Sequence, residues 1–257
     1  MHLVIIHGWQ EAGPELVQSL ATVLGMTPFE VRPRLLGGGP AVVGRYADGE
    51  QAARLAGTLR LSGVAAFVLD SDEARSRGRH VVRRFTLDAG TLAVETVGGE
   101  TDRTPLASVR LLLPAVGISL QTESVTVTDR KLSLGKTLLS GGIPMTKKVT
   151  RQEEVQTEER ERMLFVAAGA LPLLVFRQNG MNYDGFGPAM KLSRELNFSH
   201  LVAELRRLCP GALFDDHLLQ RAGQVRVLGP AVDPDANLDL AAAILARCLA
   251  GAMHDES

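Results

Sequence analysis

The sequence predicts an α+β protein in two parts, and three observations carry that expectation. A strand–helix–strand pattern occurs twice in the first seventy residues, alternating apolar strands with turn signals follow, and amphipathic helical stretches fall near the end. The chain has 257 residues, enough for two separate cores. Hydrophobic residues make up 45% and charged residues 22%, the balance of a folded chain rather than a disordered one.

The first unit opens with the apolar strand LVIIHG and continues into GPELVQSLATVLG. Pro14 suits a first helical turn, Leu16, Val17, Leu20, Val23 and Leu24 share one side, and Gly25 ends the helix. In FEVRPRL the residues Phe29, Val31 and Leu35 alternate, so this stretch reads as the closing strand. After the turn signal GGGP the pattern returns. AVVGRY is a strand, Asp48 is an N-cap, Ala52, Leu55, Ala56 and Leu59 point inward, and Gly63 precedes the strand VAAFVLD. The sum is βαββαβ over residues 1–71, a ferredoxin-like domain with helices on one face of an antiparallel sheet. The stretch AVVGRYADGEQAARLAGTLRLSGVAAFVLD also resembles the sporulation-related repeat of bacterial envelope proteins. Domains of that family bind peptidoglycan glycans outside the inner membrane, whereas no export signal is visible here, so the resemblance bears on fold.

Residues 72–80 lie in the polar, basic text SDEARSRGRH and read as an interdomain linker. The second domain is expected over 81–257. VVRRFTL and TLAVETV are strands separated by the turn DAG, ASVRLLL is a third, and RMLFVAAG with LPLLVFRQ forms a further hairpin. NGMNYDGFG supplies turns before the helix NFSHLVAELRRLC, whose Phe198, Leu201, Val202, Leu205, Leu208 and Cys209 share one face. Antiparallel strands closed by one helix, over Val81–Leu113 and Met163–Cys209, resemble the pleckstrin-homology-like barrel. The resemblance implies a C-terminal helix that plugs the open end. It also leaves an irregular, mobile insertion at about 115–160 and a helical tail at 233–253, with Leu238, Ala241, Leu245, Cys248 and Leu249 on one stripe.

Several chemistries are disfavoured. LVIIHGW looks like the oxyanion strand of an α/β-hydrolase, but the G-x-S-x-G elbow is missing and Gly117–Gln121 lacks its second glycine, which disfavours a serine hydrolase. LGKTLLSGG has Arg130 where a phosphate loop needs its first glycine. A formal net charge of −1 and the scarcity of stacking aromatics on the first strands, none in LVIIHG and only Tyr46 in AVVGRY, argue against nucleic acid. Cys209 and Cys248 have no neighbours at metal-ligand spacing and read as buried free thiols, so no metal or cofactor is expected. The apolar run Met163–Phe176 is too short to span a bilayer, and no signal peptide is visible, which together predict a cytoplasmic protein. KKVTRQEEVQTEERER mixes charges at helical spacing and reads as a solvated helix or mobile insertion.

Two readings of function follow. The favoured one is a non-catalytic interaction or regulatory protein that binds another protein. The alternative is a small-ligand-binding protein or enzyme whose pocket between the two domains draws on His7, Arg84, Tyr183 and Asp184. The sequence sets neither the partner nor the oligomeric state.

Overall fold

The computed structural model describes residues 1–77, 79–88, 90–132, 146–168, 172–229 and 232–252. The segment begins with β1 (His2–Ile6), α1 (Pro14–Leu24), α2 (Pro28–Leu35), β2 (Ala41–Tyr46), α3 (Gly49–Leu61) and β3 (Ala66–Asp70). β1 lies in the middle and runs antiparallel to both neighbours, in the order β2-β1-β3. Both of its faces are buried: Val4 and Ile6 pack under α1, α2 and α3, while Leu3 and Ile5 belong to a second cluster on the opposite side. A strand covered on both faces has no position for a polar residue, which is why LVII is unbroken.

The strand expected at FEVRPRL is instead helix α2, so this sheet has three strands and lacks the ferredoxin-like fourth. Local chemistry decides it. The Thr27 hydroxyl accepts from the Glu30 N–H at 3.4 Å, and the Glu30 carboxylate accepts from the Thr27 N–H at 2.7 Å, a capping box with Pro28 in the first turn. Val31 and Leu35 are four apart and fit a helix as well as a strand. Phe29 separates the two cases. An alternating strand would turn it inward with Val31, but it is 84% exposed.

The expected linker is also structured. Residues Ser71–Arg77 form α4, with Ala74 in the core, and β4 (Arg79–Asp88) starts two residues later. The chain then runs through β5 (Thr91–Thr96), β6 (Thr101–Pro105), β7 (Leu111–Leu132), β8 (Thr146–Ala167), β9 (Leu173–Arg177), α5 (Arg194–Leu208), β10 (Leu213–Phe214), α6 (Arg221–Leu228) and α7 (Leu238–Ala252). Most of the described part of 115–160 is therefore strand rather than irregular chain or helix, KKVTRQEEVQTEERER included. LGKTLLSGG lies outside the described residues. Met1–Gly117 with Glu161–Ser257 forms one compact unit, and Ile118–Arg160 forms another.

The second sheet has the order β10-β7-β8-β9-β4-β5-β6 and is open, with ends at β10 and β6, rather than closed into a barrel. β4 pairs parallel to β9 and β10 parallel to β7, so the sheet is mixed. Covering both faces removes the need for closure. Leu112, Leu164, Val166, Leu174 and Phe176 face α5, which brings Phe198, Leu201 and Leu205. The alternate residues Leu111, Leu113, Phe165, Leu173 and Val175 form one cluster with α7 and with Leu3, Ile5 and Leu69 of the first sheet. α5 thus lies on a sheet face rather than plugging a barrel end. α7, expected as an appended tail, is the central helix of the fold. Leu240 through Ala246 are buried without interruption, as a helix packed on all sides requires. Arg247 adds a tie by donating from Nη1 to the Val68 carbonyl at 3.2 Å while its guanidinium covers the Phe67 ring at 4.7 Å.

The packing of α5 gives a direct expectation. Leu205→Ala should lower the unfolding free energy by about 2–5 kcal/mol, because the residue is fully buried. Arg206, whose guanidinium lies 4.3 Å from the Phe214 ring centre, should lose only about 0.5–1 kcal/mol on replacement by alanine. Urea melts of the two variants in the full chain measure the difference. Small, equal losses would mean that α5 is not packed on the sheet.

Candidate functional site

Three of the four residues singled out from sequence come together beside β4. A register shift between Val82 and Arg84 in the β4–β5 ladder brings Arg83 and Arg84 to 3.8 and 3.9 Å from the Glu95 carboxylate. Tyr183 and Asp184 stand where a short 3-10 turn, Asp184–Ala189, begins. That turn is pinned to β4 because Asn182 donates its N–H to the Arg83 carbonyl at 2.9 Å. The Asn182 amide oxygen accepts from the Asp184 N–H at 2.7 Å, and its amide nitrogen donates to Asp184 Oδ2 at 2.8 Å. Gly185 passes so close to Phe85 that a Cβ would lie 1.9 Å from the Phe85 carbonyl oxygen, so only glycine fits.

Arg84 and Asp184 share an open groove of about 880 Å³ with Glu95, Arg103 and Asn182. Tyr183 lies beneath it as a packing residue. Its ring is 6.3 Å from Phe85 and 6.4 Å from Phe186, its hydroxyl donates to the Gln178 carbonyl at 2.9 Å, and burial pushes its pKa well up. His7 is not part of the groove. It follows β1, donates its N–H to the Ala65 carbonyl at 3.0 Å and sets its ring 5.6 Å from Phe67, where burial lowers its pKa. The neighbouring Trp9 donates its indole N–H to the Leu35 carbonyl at 3.1 Å, so HGW holds the end of α2.

The groove carries charges of both signs, and among the described residues no histidine, cysteine, serine or lysine lines it. One of its walls is the outer strand β6. The bonds from Thr96 N–H to the Glu100 carbonyl and from Leu106 N–H to the Gly90 carbonyl, each 2.8 Å, turn the even-numbered residues of this strand toward β5. Thr101, Arg103 and Pro105 therefore present their backbone outward. Asp102 Oδ1 accepts from the Arg103 N–H at 2.7 Å, and Pro105 has no N–H to offer. A short edge blocked in this way resists pairing with another strand.

A second concavity escaped the sequence reading. Phe29, Pro33 and Leu36 follow one another at helical spacing on the outer side of α2, opposite Val31 and Leu35. Pro33 and Leu36 form one wall of a groove of about 370 Å³, Ala222 and Val225 of α6 form the other, and Arg34 and Arg226 also line it. Leu36 is 68% and Val225 38% exposed. A smaller hollow of about 190 Å³ shares Arg34, Val42 and Gly229 with it and adds Arg45. Arg226 is held in place: Nη1 donates to the Gly37 carbonyl at 3.0 Å, and Gly37, at φ +81°, lies so close that a Cβ would be 2.4 Å from the guanidinium carbon. Among the described residues the two hollows are lined by three arginines and no acidic residue. The available signal was TPFE: threonine and glutamate three apart around a proline mark a helix start, which turns Phe29 outward.

Among the described residues no group of three His, Cys, Asp or Glu side chains could hold a metal ion. Cys209 and Cys248 are free and buried, and burial raises both thiols, that of Cys248 to about 12. No described helix is long and apolar enough to cross a membrane. The chain matches no protein-family model, no curated protein and no solved structure.

Proposed function

We propose that this protein is a non-catalytic interaction module that binds another protein through the outer face of α2 and the groove beside α6. The observation that supports the reading is the row Phe29, Pro33, Leu36. Single exposed apolar residues are ordinary on protein surfaces, but a row at helical spacing that continues into an apolar groove has the form of a docking surface. The capping box makes this face rigid before any partner arrives, which reduces the ordering cost of association.

A small-ligand site at the β4–β5–β6 groove is the alternative. It draws on Arg84, Asn182 and Asp184, but Arg84 stands beside Glu95 and His7 lies elsewhere, so the module reading has the better support. The same proposal sets the chain in the cytoplasm, with the two free thiols as its support. It also takes the three-stranded sheet as a ferredoxin-like unit whose second strand has become α2, since β1 lies antiparallel between β2 and β3 as that arrangement requires.

The test is affinity capture from the native host with the wild-type chain and with Phe29→Ser/Leu36→Ser. Both residues face solvent, so stability should change by no more than about 0.5 kcal/mol per site. A protein retained by the wild type and lost with the double variant is the expected result. An identical set of captured proteins would overturn the proposal.

A further inference from the structure

We infer that the groove between α2 and α6 receives an acidic amphipathic helix of the partner, with apolar residues seated on Leu36 and Val225 and carboxylates meeting Arg34 and Arg226. This inference rests on the module reading above and adds the chemistry of the partner. Two features of the groove point to it. Its walls are apolar over Pro33, Leu36, Ala222 and Val225, so the bound segment must present an apolar stripe. Among the described residues every charge that lines it and the adjoining hollow is positive, in a chain whose formal net charge is −1. The basic character is therefore local to this surface and is not a property of the whole molecule.

An apolar stripe that seats in the groove also removes water from the arginines. That step is unfavourable unless carboxylates replace the lost water, and charge-assisted hydrogen bonds to guanidinium do so with defined geometry. Arg226 is already oriented by the Gly37 carbonyl, so little side-chain freedom remains for the partner to remove. Glu30, the acidic residue of α2, makes its hydrogen bonds with Thr27 at the helix start and feels the charge of Arg34 four residues on only as a smaller influence.

Other occupants fit less well. A second copy of the chain docked groove to groove would set arginine against arginine, because a two-fold contact places each patch on itself. Nucleic acid would need aromatic platforms or an extended basic track, and among the described residues no aromatic one lines the groove. A β-strand partner would have to add to β2, the outer strand whose Ala41 and Val42 also line the groove, but the end of α6 lies against that strand, with Gly229 so near that a Cβ there would be 3.1 Å from the Val42 carbonyl oxygen.

Fluorescence anisotropy with the full chain tests the inference. The probe is a labelled designed peptide of about 18 residues, long enough to form a helix, with leucines at i, i+4 and i+7 and glutamates flanking them. Its controls are a version with lysine for each glutamate, a scrambled version of the same composition, and single-stranded DNA. The glutamate peptide should bind and the controls should not. Arg34→Glu and Leu36→Asp should each weaken it about tenfold or more, the range expected when a paired charge or a buried anchor is lost. Arg34→Glu/Arg226→Glu should exchange the preference, so that the lysine peptide binds and the glutamate peptide does not. Circular dichroism confirms that the variants fold.

Equal binding of glutamate and lysine peptides, binding that survives both single substitutions, or DNA binding with the same dependence on Arg34 would overturn it. The two proposals can fail separately. If a captured host protein depends on Phe29 and Leu36 but is indifferent to Arg34→Glu and is not displaced by the glutamate peptide, the acidic helix is wrong and the module stands. If neither host protein nor peptide depends on this face, both are wrong.

Discussion

A chain ending at Asn237, and so lacking α7, will not fold cooperatively. Leu238, Leu240, Ile244 and Leu245 of this helix are buried in one cluster with Leu3, Ile5 and Leu69 on one side and Leu111, Leu113, Phe165 and Val175 on the other. Fully burying an aliphatic side chain contributes about 1.5–3 kcal/mol, and domains are stable by only about 5–15 kcal/mol in total. Removing the helix discards its own burial and exposes the apolar faces of two sheets at once. Near-ultraviolet circular dichroism and urea titration of the shortened chain are the measurements. A cooperative transition like that of the full chain would show α7 to be the appended tail that its position in the sequence suggests. A milder substitution grades the same effect: Ile244→Ala should lose about 2–5 kcal/mol, since the residue is wholly buried and its neighbours on both sides are held in sheets.

Arg177→Met will be nearly as damaging for an electrostatic reason. Glu161 on β8 is only 2% exposed, and its Oε2 accepts from Arg177 Nε at 3.0 Å and Nη2 at 2.5 Å while Oε1 accepts from the Asn179 N–H at 2.9 Å. Removing the guanidinium strands a buried carboxylate, a change that typically destabilises by about 3–5 kcal/mol. Glu161→Gln in the same chain should restore part of the loss, because a neutral amide tolerates burial better than an unpaired charge. A double-mutant cycle on urea melts reads the coupling directly. A loss for Arg177→Met no larger than the roughly 0.5 kcal/mol of an ordinary surface change would remove the pair from the account of how β8 and β9 are held.

Glu161 illustrates where reading from sequence runs out. In KKVTRQEEVQTEERER it is one charge among many, and nothing local separates it from Glu158 or Glu159. Its burial comes from Arg177 and Asn179, whose places opposite β8 are set by the β8–β9 register. Among the candidate site residues, Arg84 and Asp184 do share a groove. Their meeting depends on the turn after β9 being tied back to the Arg83 carbonyl by Asn182. His7 follows an apolar strand in the other sheet, and no sequence signal distinguishes a histidine bound for a site from one that packs beside Phe67.

By itself the sequence determined the elements whose signals are local. β1 is unbroken apolar text, α1 is opened by Pro14 and closed by Gly25 in the left-handed region, α3 is capped by Asp48, and α5 carries one apolar face. It also held the capping box of α2, although the alternation of Phe29, Val31 and Leu35 imitates a strand, because a spacing of four satisfies both periods. Only the tertiary structure decided what these elements pack against. An apolar stripe states that a helix must be covered and does not say by what. α7 therefore reads equally as a tail or as a centre until both sheets close on it, and the sheet of β4 to β10 stays open because α5 and α7 already cover its two faces. Burial is a property of the neighbours as much as of the residue, and those neighbours lie far apart along the chain.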